Sequence, residues 1–297
     1  MEIVVPRVSV IIVTFNQGPA LRRCVTALQH SKAREQMEIV VVDCGSTDGS
    51  TTLDTDFPSV NLMRLPHHLG AVRAMNIATR TAKADLLLYL SPDVEVGPDT
   101  VAALADRLES TTEAFASGND DTIALAPQLV DTLGKPVARA YRIPDAATLA
   151  AIAKTGGSLT TVAIDDQQES AKVEALPLDA LMIRKVFIRG MNYFDQRFGQ
   201  YWPDTDLAMQ ARKAGKSIRI YPTIRAVYHP APDPLAGDSI LPLDRAVGAA
   251  ELIGKYQGSG AAFKFRLSLA LGALTSFNFG LFSGIIGGVK LDGGQRS

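Results

Sequence analysis

The chain has 297 residues, of which 46% are hydrophobic and 21% charged, and its formal net charge is -1. That length and composition exclude a disordered chain and suffice for one large or two small domains with a sizeable core. The near-neutral charge excludes a general nucleic-acid binder, which needs a broad basic surface.

Two cysteines, Cys24 and Cys44, make no disulfide framework and point to a reducing cytoplasm. Glu2 and Pro6 interrupt the N-terminus, so no signal peptide is expected. The run Val8-Ser-Val-Ile-Ile-Val-Thr-Phe-Asn16 reads as a buried strand entering a polar turn. A helix is expected over 20–31. A second strand over 37–43 ends in Cys44-Gly-Ser-Thr-Asp48-Gly-Ser50. A helix over 69–83 leads to a third strand over 85–90, which ends in Ser91-Pro92-Asp93. Strands alternating with helices imply parallel pairing and a doubly wound α/β sheet. Each strand delivers a polar group at its carboxyl end, the edge where such sheets bind ligands, which puts Asp43, Asp48 and Asp93 around one crevice.

Further on, Pro98 opens a helix reaching 109, and 123–130 is another strand. The stretch 144–170 is polar and without clear period, which predicts an exposed variable loop. A strand or strand–helix hinge is expected over 173–185. A helix over 204–214 stops at Gly215, and a late strand over 217–227 precedes His229.

The tail differs. Leu252 to Leu291 holds no Asp or Glu but keeps Lys255, Lys264, Arg266 and Lys290, and Gly280, Gly284 and Gly288 recur every fourth residue. That spacing lets helices approach closely in membranes. The tail therefore predicts membrane association, in-plane, re-entrant or spanning, with the basic residues suited to anionic head groups. The other use of the same pattern is a helix covering the domain's own apolar surface or a dimer contact.

Val8 to Asn16, Asp43 to Ser50, Leu69-Gly70 with Asn76, Leu90 to Val96, Phe194-Asp-Gln-Arg-Phe198 and Asp204-Thr-Asp-Leu207 occur in that order. Together they resemble the family 2 inverting glycosyltransferases of the GT-A fold, nearest to the rhamnosyltransferase-like enzymes of bacterial polysaccharide assembly. The resemblance covers residues 7 to about 230. It implies a Rossmann-like α/β sandwich with a mostly parallel sheet. The division expected is a GT-A domain over 1–235, its nucleotide-binding half about 1–100 and its acceptor half about 120–235, then a helical tail over 236–297.

The resemblance also distributes roles. Asp43 reads the base: a carboxylate there can accept a hydrogen bond from a pyrimidine N3–H, although the same loop can cap itself. Val13 and Phe15 border the nucleoside, and Arg73 faces the nucleotide, where a guanidinium pairs with phosphate or stacks on a base. His67 and His68 pack against the loop. Asp93 stands at the metal signature and, with His229, is expected to hold Mg²⁺ or Mn²⁺ against the departing diphosphate. Ser91 is a weaker ligand than the residue usual there, and Glu95 is expected to face solvent.

Asp204 is the expected catalytic base, taking the proton of the acceptor hydroxyl. Asp206 is the second candidate, and either carboxylate could instead cap its helix. Pro203 replaces an expected Glu. Tyr201 and Trp202 are placed on the acceptor wall, and Asp179, where Leu178-Asp179 replaces Gly-Ala, is placed against acceptor hydroxyls.

The expected activity is transfer of one sugar from a nucleotide-diphosphate sugar, UDP- or dTDP-linked, to a glycan or lipid-linked hydroxyl at the inner membrane face. Gln210-Ala-Arg212-Lys213 does not match the motif of processive synthases, which favours single transfer. Two other readings remain: an inactive scaffold that binds a partner enzyme, and a nucleotidyltransferase, which would want a Gly-rich basic loop that Thr14-Phe-Asn-Gln-Gly18 lacks.

Overall fold

The computed structural model describes residues 5–291. The N-terminal half runs β1 (Val8–Thr14), α1 (Gly18–Gln29), β2 (Met37–Asp43), α2 (Leu53–Asp56), β3 (Val60–Arg64), α3 (Ala71–Thr81), β4 (Leu86–Leu90), β5 (Val94–Val96), α4 (Thr100–Glu109), α5 (Thr112–Ala116) and β6 (Thr122–Val130). Then follow α6 (Ala146–Thr155), β7 (Ala171–Val173), β8 (Ala180–Arg184), α7 (Lys185–Gly190), α8 (Pro203–Lys213) and β9 (Ser217–Tyr228). Three helices close the chain: α9 (Ile240–Gln257), α10 (Ser259–Thr275) and α11 (Phe279–Gly287).

The strands form one sheet in the order β3-β2-β1-β4-β8-β6-β9-β5, with β7 on β9. The expected parallel pairing holds from β3 through β4 and again between β6 and β9. β8 is the exception between these blocks, antiparallel to both β4 and β6. The sheet separates two cores, because alternate residues of one strand point to opposite faces. In β2, Ile39 and Val41 join α1 and α4, while Val40 and Val42 join α3, α8 and α9.

The stretch 144–170 is not simply an exposed loop. It contains α6, whose Leu149, Ile152 and Ala153 enter the core and which packs on α9. Its ends carry the signals that the missing period hid. Asp145 accepts from the Thr148 amide at 2.8 Å, and Gly156 closes the helix in the left-handed region. The region 173–185 resolves into the end of β7, a loop, β8 and the start of α7.

The C-terminal helices pack on the body. Ala246, Ala249, Leu252 and Ile253 of α9 and Leu269, Ala270 and Ala273 of α10 belong to the core that contains α3 and α8. Of the three regularly spaced glycines, Gly284 makes a close approach: a Cβ there would lie 2.4 Å from Leu243 on α9. Gly288 caps α11 with φ +70°, and Gly280 stands in nearly open space. Among the described residues no helix is long and apolar enough to cross a membrane.

Candidate active site

A cleft of about 470 Å³ opens at the carboxyl ends of β1 and β4. Strand direction decides what meets there. β8 runs antiparallel to β4, so its start lies at the end of β4; Leu90 pairs with Ala180, and the Ser91 amide donates to the Asp179 carbonyl at 2.7 Å. β5 pairs with the end of β9, so the His229 amide reaches the Asp93 carbonyl at 2.8 Å. The start of α8 supplies Asp204. Val13, Phe15, Asp93, Asp179, Tyr201, Trp202 and Asp204 all line this cleft, whereas Asp43, Arg73 and His229 do not.

The donor-side loops hold themselves. Asn16, in the left-handed region at φ 50°, donates its amide N–H to the Ser46 hydroxyl at 2.7 Å, and its side-chain oxygen accepts from the Thr47 amide at 2.8 Å. Asp48 accepts from the amides of Gly18 and Ser50 at 2.7 and 2.9 Å, which lowers its pKa. Asp43 sits beneath this loop, 1% exposed and paired across from Thr14. One of its oxygens accepts from the Ser46 amide at 3.2 Å, and the other is buried without a hydrogen bond. Phe15 meets the edge of His68 with ring centres 5.0 Å apart. His68 itself lines the cleft, accepts from the Gly70 amide, and is held near pKa 4 by burial.

Asp93 is only partly exposed. Burial raises its pKa, and the charges of Arg23, His229 and Arg139 pull in the other direction. One of its carboxylate oxygens is buried with no hydrogen-bond donor. An orphaned anionic oxygen in a cleft is a fit for a hard divalent cation, which takes oxygen ligands and completes its shell with phosphate and water. Among the described residues no cluster of three or more His, Cys, Asp or Glu could hold a metal by itself. His229 is engaged elsewhere: its Nε2 lies 2.8 Å from Glu95 Oε2, so Glu95 has a partner rather than solvent alone. Asp179 is ion-paired with Arg139, whose guanidinium also lies 4.9 Å from the Tyr228 ring centre.

The two carboxylates of α8 part company within half a turn. Asp204 faces the cleft, accepts from the Thr205 amide at 2.8 Å and from the buried Tyr141 hydroxyl, and has its pKa raised by burial. Asp206 faces inward and is fully buried. Lys255 of α9 lies 2.9 Å from one of its oxygens, and the Tyr256 hydroxyl donates to the other at 2.7 Å. Lys255 also reaches Asp195 at 3.0 Å, so α9 is tied to α8 and to the 195–198 turn.

A second tie from α9 holds the acceptor wall. Asp244, 1% exposed, accepts from the amides of Gln200 and Leu291 at 2.7 and 2.9 Å and from Tyr201 at 3.3 Å. Its pKa is raised by burial against the pull of those amides. Gly199 allows this approach, since a Cβ there would lie 2.1 Å from Asp244 Oδ1. Trp202 adopts φ 77°, unusual for a bulky residue, and its indole N–H donates to the Arg245 carbonyl at 2.9 Å. Tyr141, Arg139, Asp244 and Lys255 are the residues that sequence reasoning missed. Each acts through a partner at least 40 positions away in sequence, and no local spacing reveals such a pair.

The likeness to known proteins agrees with this architecture. The model of the glycosyl transferase family 2 matches residues 9–125. N-acetylglucosaminyl-diphospho-decaprenol L-rhamnosyltransferase of Mycobacterium tuberculosis (strain ATCC 25618 / H37Rv) is 27% identical over 241 residues, 75% of this chain and 76% of the relative. An uncharacterized glycosyltransferase of the same organism is 30% identical over 192 residues, 61% of this chain and 73% of the relative. Among solved structures, GalNAc-T7 with UDP, GalNAc and Mn²⁺ aligns at TM-score 0.62 and 19% identity, covering 84% of this chain but only 48% of GalNAc-T7. The Pyrobaculum calidifontis mannosyltransferase PcManGT, in complex with GDP-Man and Mn²⁺, aligns at TM-score 0.54 and 16% identity, covering 95% and 74%. These structures fix the fold as GT-A. With strands, cleft and relatives in agreement, the chain belongs to glycosyl transferase family 2 and is a glycosyltransferase.

Proposed function

We propose that this enzyme transfers a single sugar, with inversion, from a UDP- or dTDP-linked donor to a hydroxyl of a glycan or lipid-linked acceptor in cell-surface polysaccharide assembly. The observation that carries the reading is the sharing of one cleft by Asp93, with an orphaned carboxylate oxygen, and Asp204, with a proton affinity raised by burial. Inversion needs one displacement at the anomeric carbon, with a base on the acceptor side and charge neutralisation on the leaving side.

Asp204 takes the acceptor hydroxyl proton. Tyr141 and the Thr205 amide fix its carboxylate, and the raised pKa makes it a better base than an exposed aspartate. Asp93 would hold a divalent Mg²⁺ or Mn²⁺, which, when bound, supplies Lewis acidity to the departing diphosphate. Asp43 reads the base from beneath the first loop, Val13 and Phe15 border the nucleoside, and Arg73 serves the nucleotide from α3. His229 contributes through its hold on Glu95 beside Asp93. Tyr201 and Trp202 wall the acceptor site, and Asp179, oriented by Arg139, meets acceptor hydroxyls.

The named M. tuberculosis relative carries a decaprenol diphosphate in the name of its acceptor, which supports a lipid-linked acceptor here and work at the inner membrane face from the cytoplasm. On this reading residues 1–235 form the catalytic unit and 236–297 a C-terminal extension, whose helices α9 to α11 support it and whose residues 292–297 lie outside the described residues. Calorimetric titration with UDP, dTDP and GDP, with and without Mn²⁺, tests the donor site. One nucleotide binds in a metal-dependent way, and Asp93→Ala loses that dependence. Absence of binding to all three in the unaltered protein would sink the reading.

A further inference from the structure

Large exposed apolar side chains are concentrated in the last two helices. Phe263, Leu267, Leu271 and Leu274 of α10 are exposed, as are Phe277 and Phe279 at the turn into α11. Phe277 is 81% exposed and Phe263 68%. Ile286 of α11 and Val289 just beyond it are exposed as well. α10 buries only Leu269, Ala270 and Ala273 against the body, so it is apolar on the outward side as well. A helix apolar all round is normally enclosed by protein or lipid, and a contiguous exposed apolar patch marks an interaction surface.

The charge of this region selects among occupants. Lys255 is taken up by Asp195 and Asp206, so the basic side chains left to this region are Lys264, Arg266 and Lys290, and from Leu252 to Leu291 the sequence carries no acidic residue. Lys264 is exposed beside Phe263, Arg266 donates to the Ile285 carbonyl of α11, and Lys290 reaches the Gln196 carbonyl at the border between the hairpin and the 195–198 turn. A second copy of this same face would offer its basic side chains no acidic partner. An anionic bilayer instead offers apolar depth to the aromatic and leucine side chains and negative head groups to the basic rim.

We propose that the outward face of α10 and α11 is a bilayer-docking surface that lies in the interface of an anionic membrane, with Phe277 at its leading edge. The purpose assigned to it rests on the reading that the acceptor is lipid-linked. The surface also connects to the acceptor wall: the chain leaves α11 and reaches Leu291, whose amide is held by Asp244, the residue that holds Gln200 and Tyr201.

The test is co-sedimentation of the full chain with phosphatidylcholine vesicles, with and without phosphatidylglycerol, alongside the double variant Leu271→Glu, Phe277→Glu. Both positions are exposed, so the variant keeps its fold, which circular dichroism and nucleotide calorimetry check. The unaltered chain binds the anionic vesicles, binding weakens with salt, and the variant loses about tenfold or more in partition. Equal retention by the variant, or no vesicle binding by the unaltered chain, overturns the proposal. So does a dimer, seen by sedimentation, that the variant dissociates while vesicles bind neither form. Vesicle binding without nucleotide binding supports the docking face and counts against the transferase reading. Nucleotide binding without vesicle binding does the reverse.

Discussion

The donor-side loops and the acceptor wall solve the same problem, fixing polar side chains at a cleft, by opposite means. On the donor side, Asn16, Ser46, Thr47 and Asp48 bond to one another and to the backbone of adjoining turns. On the acceptor side, Asp206 depends on Lys255 and Tyr256, and the Gln200–Trp202 stretch depends on Asp244 and Arg245, all from a helix more than 40 residues later. A self-held loop loses little when one bond is cut. A wall held from outside transmits damage from a distant residue to the chemistry.

Asp204→Asn gives the largest effect and sharpens the contrast between the two sides. Loss of a general base lowers kcat by about a thousandfold, while nucleotide titration of the same variant is unchanged. In the unaltered enzyme the base works ionised, so kcat/KM falls as pH drops, with a midpoint above the ordinary aspartate value of 3.8 because burial raises this group's pKa. An acid limb at or below that value would contradict the assignment.

Lys255→Ala comes next. It leaves Asp206 buried and uncompensated, which costs about 3–5 kcal/mol and is read as a lower denaturant midpoint. An unchanged midpoint would break the claim that α9 sustains the acceptor half. Asp244→Asn keeps the shape but turns an amide toward backbone N–H groups. It raises the acceptor KM about tenfold with donor affinity intact, since small displacements of positioning groups are costly. A matching loss of donor affinity would show that the two sides are not independent. Asp48→Ala is the smallest: removing a local cap costs about 1 kcal/mol in thermal or chemical unfolding and leaves acceptor kinetics alone.

The same division explains what the sequence made legible. β1, β2 and β4 are continuous apolar runs whose carboxyl ends announce themselves, so the crevice and the placing of Asp93 followed from pattern alone. The shared cleft of Asp179 and Asp204 came from family likeness and agrees with the observed walls. Asp43, at the end of β2, and Arg73, on α3, are expected at the nucleotide but do not line the cleft wall, because a strand or helix pattern locates a residue without telling which way its side chain is directed. The Glu95 partner of His229 needed the β5–β9 register, which no local period encodes. α6 was hidden for a different reason: it is rich in alanine and packs a narrow stripe, so its apolar period is faint although both its caps are in place.

The antiparallel strand β8 has a consequence for synthesis. Its place between β4 and β6 means that β4, all of whose residues are buried in the finished protein, has no neighbour on that side until residue 184 has been made. At ribosomal speeds that interval is on the order of ten seconds. Through it the nascent chain carries an open, wholly apolar strand edge, the kind that recruits other chains. The insertion that brings Asp179 to the cleft therefore leaves the half-made enzyme dependent on timing, with cellular chaperones the natural guard of that edge.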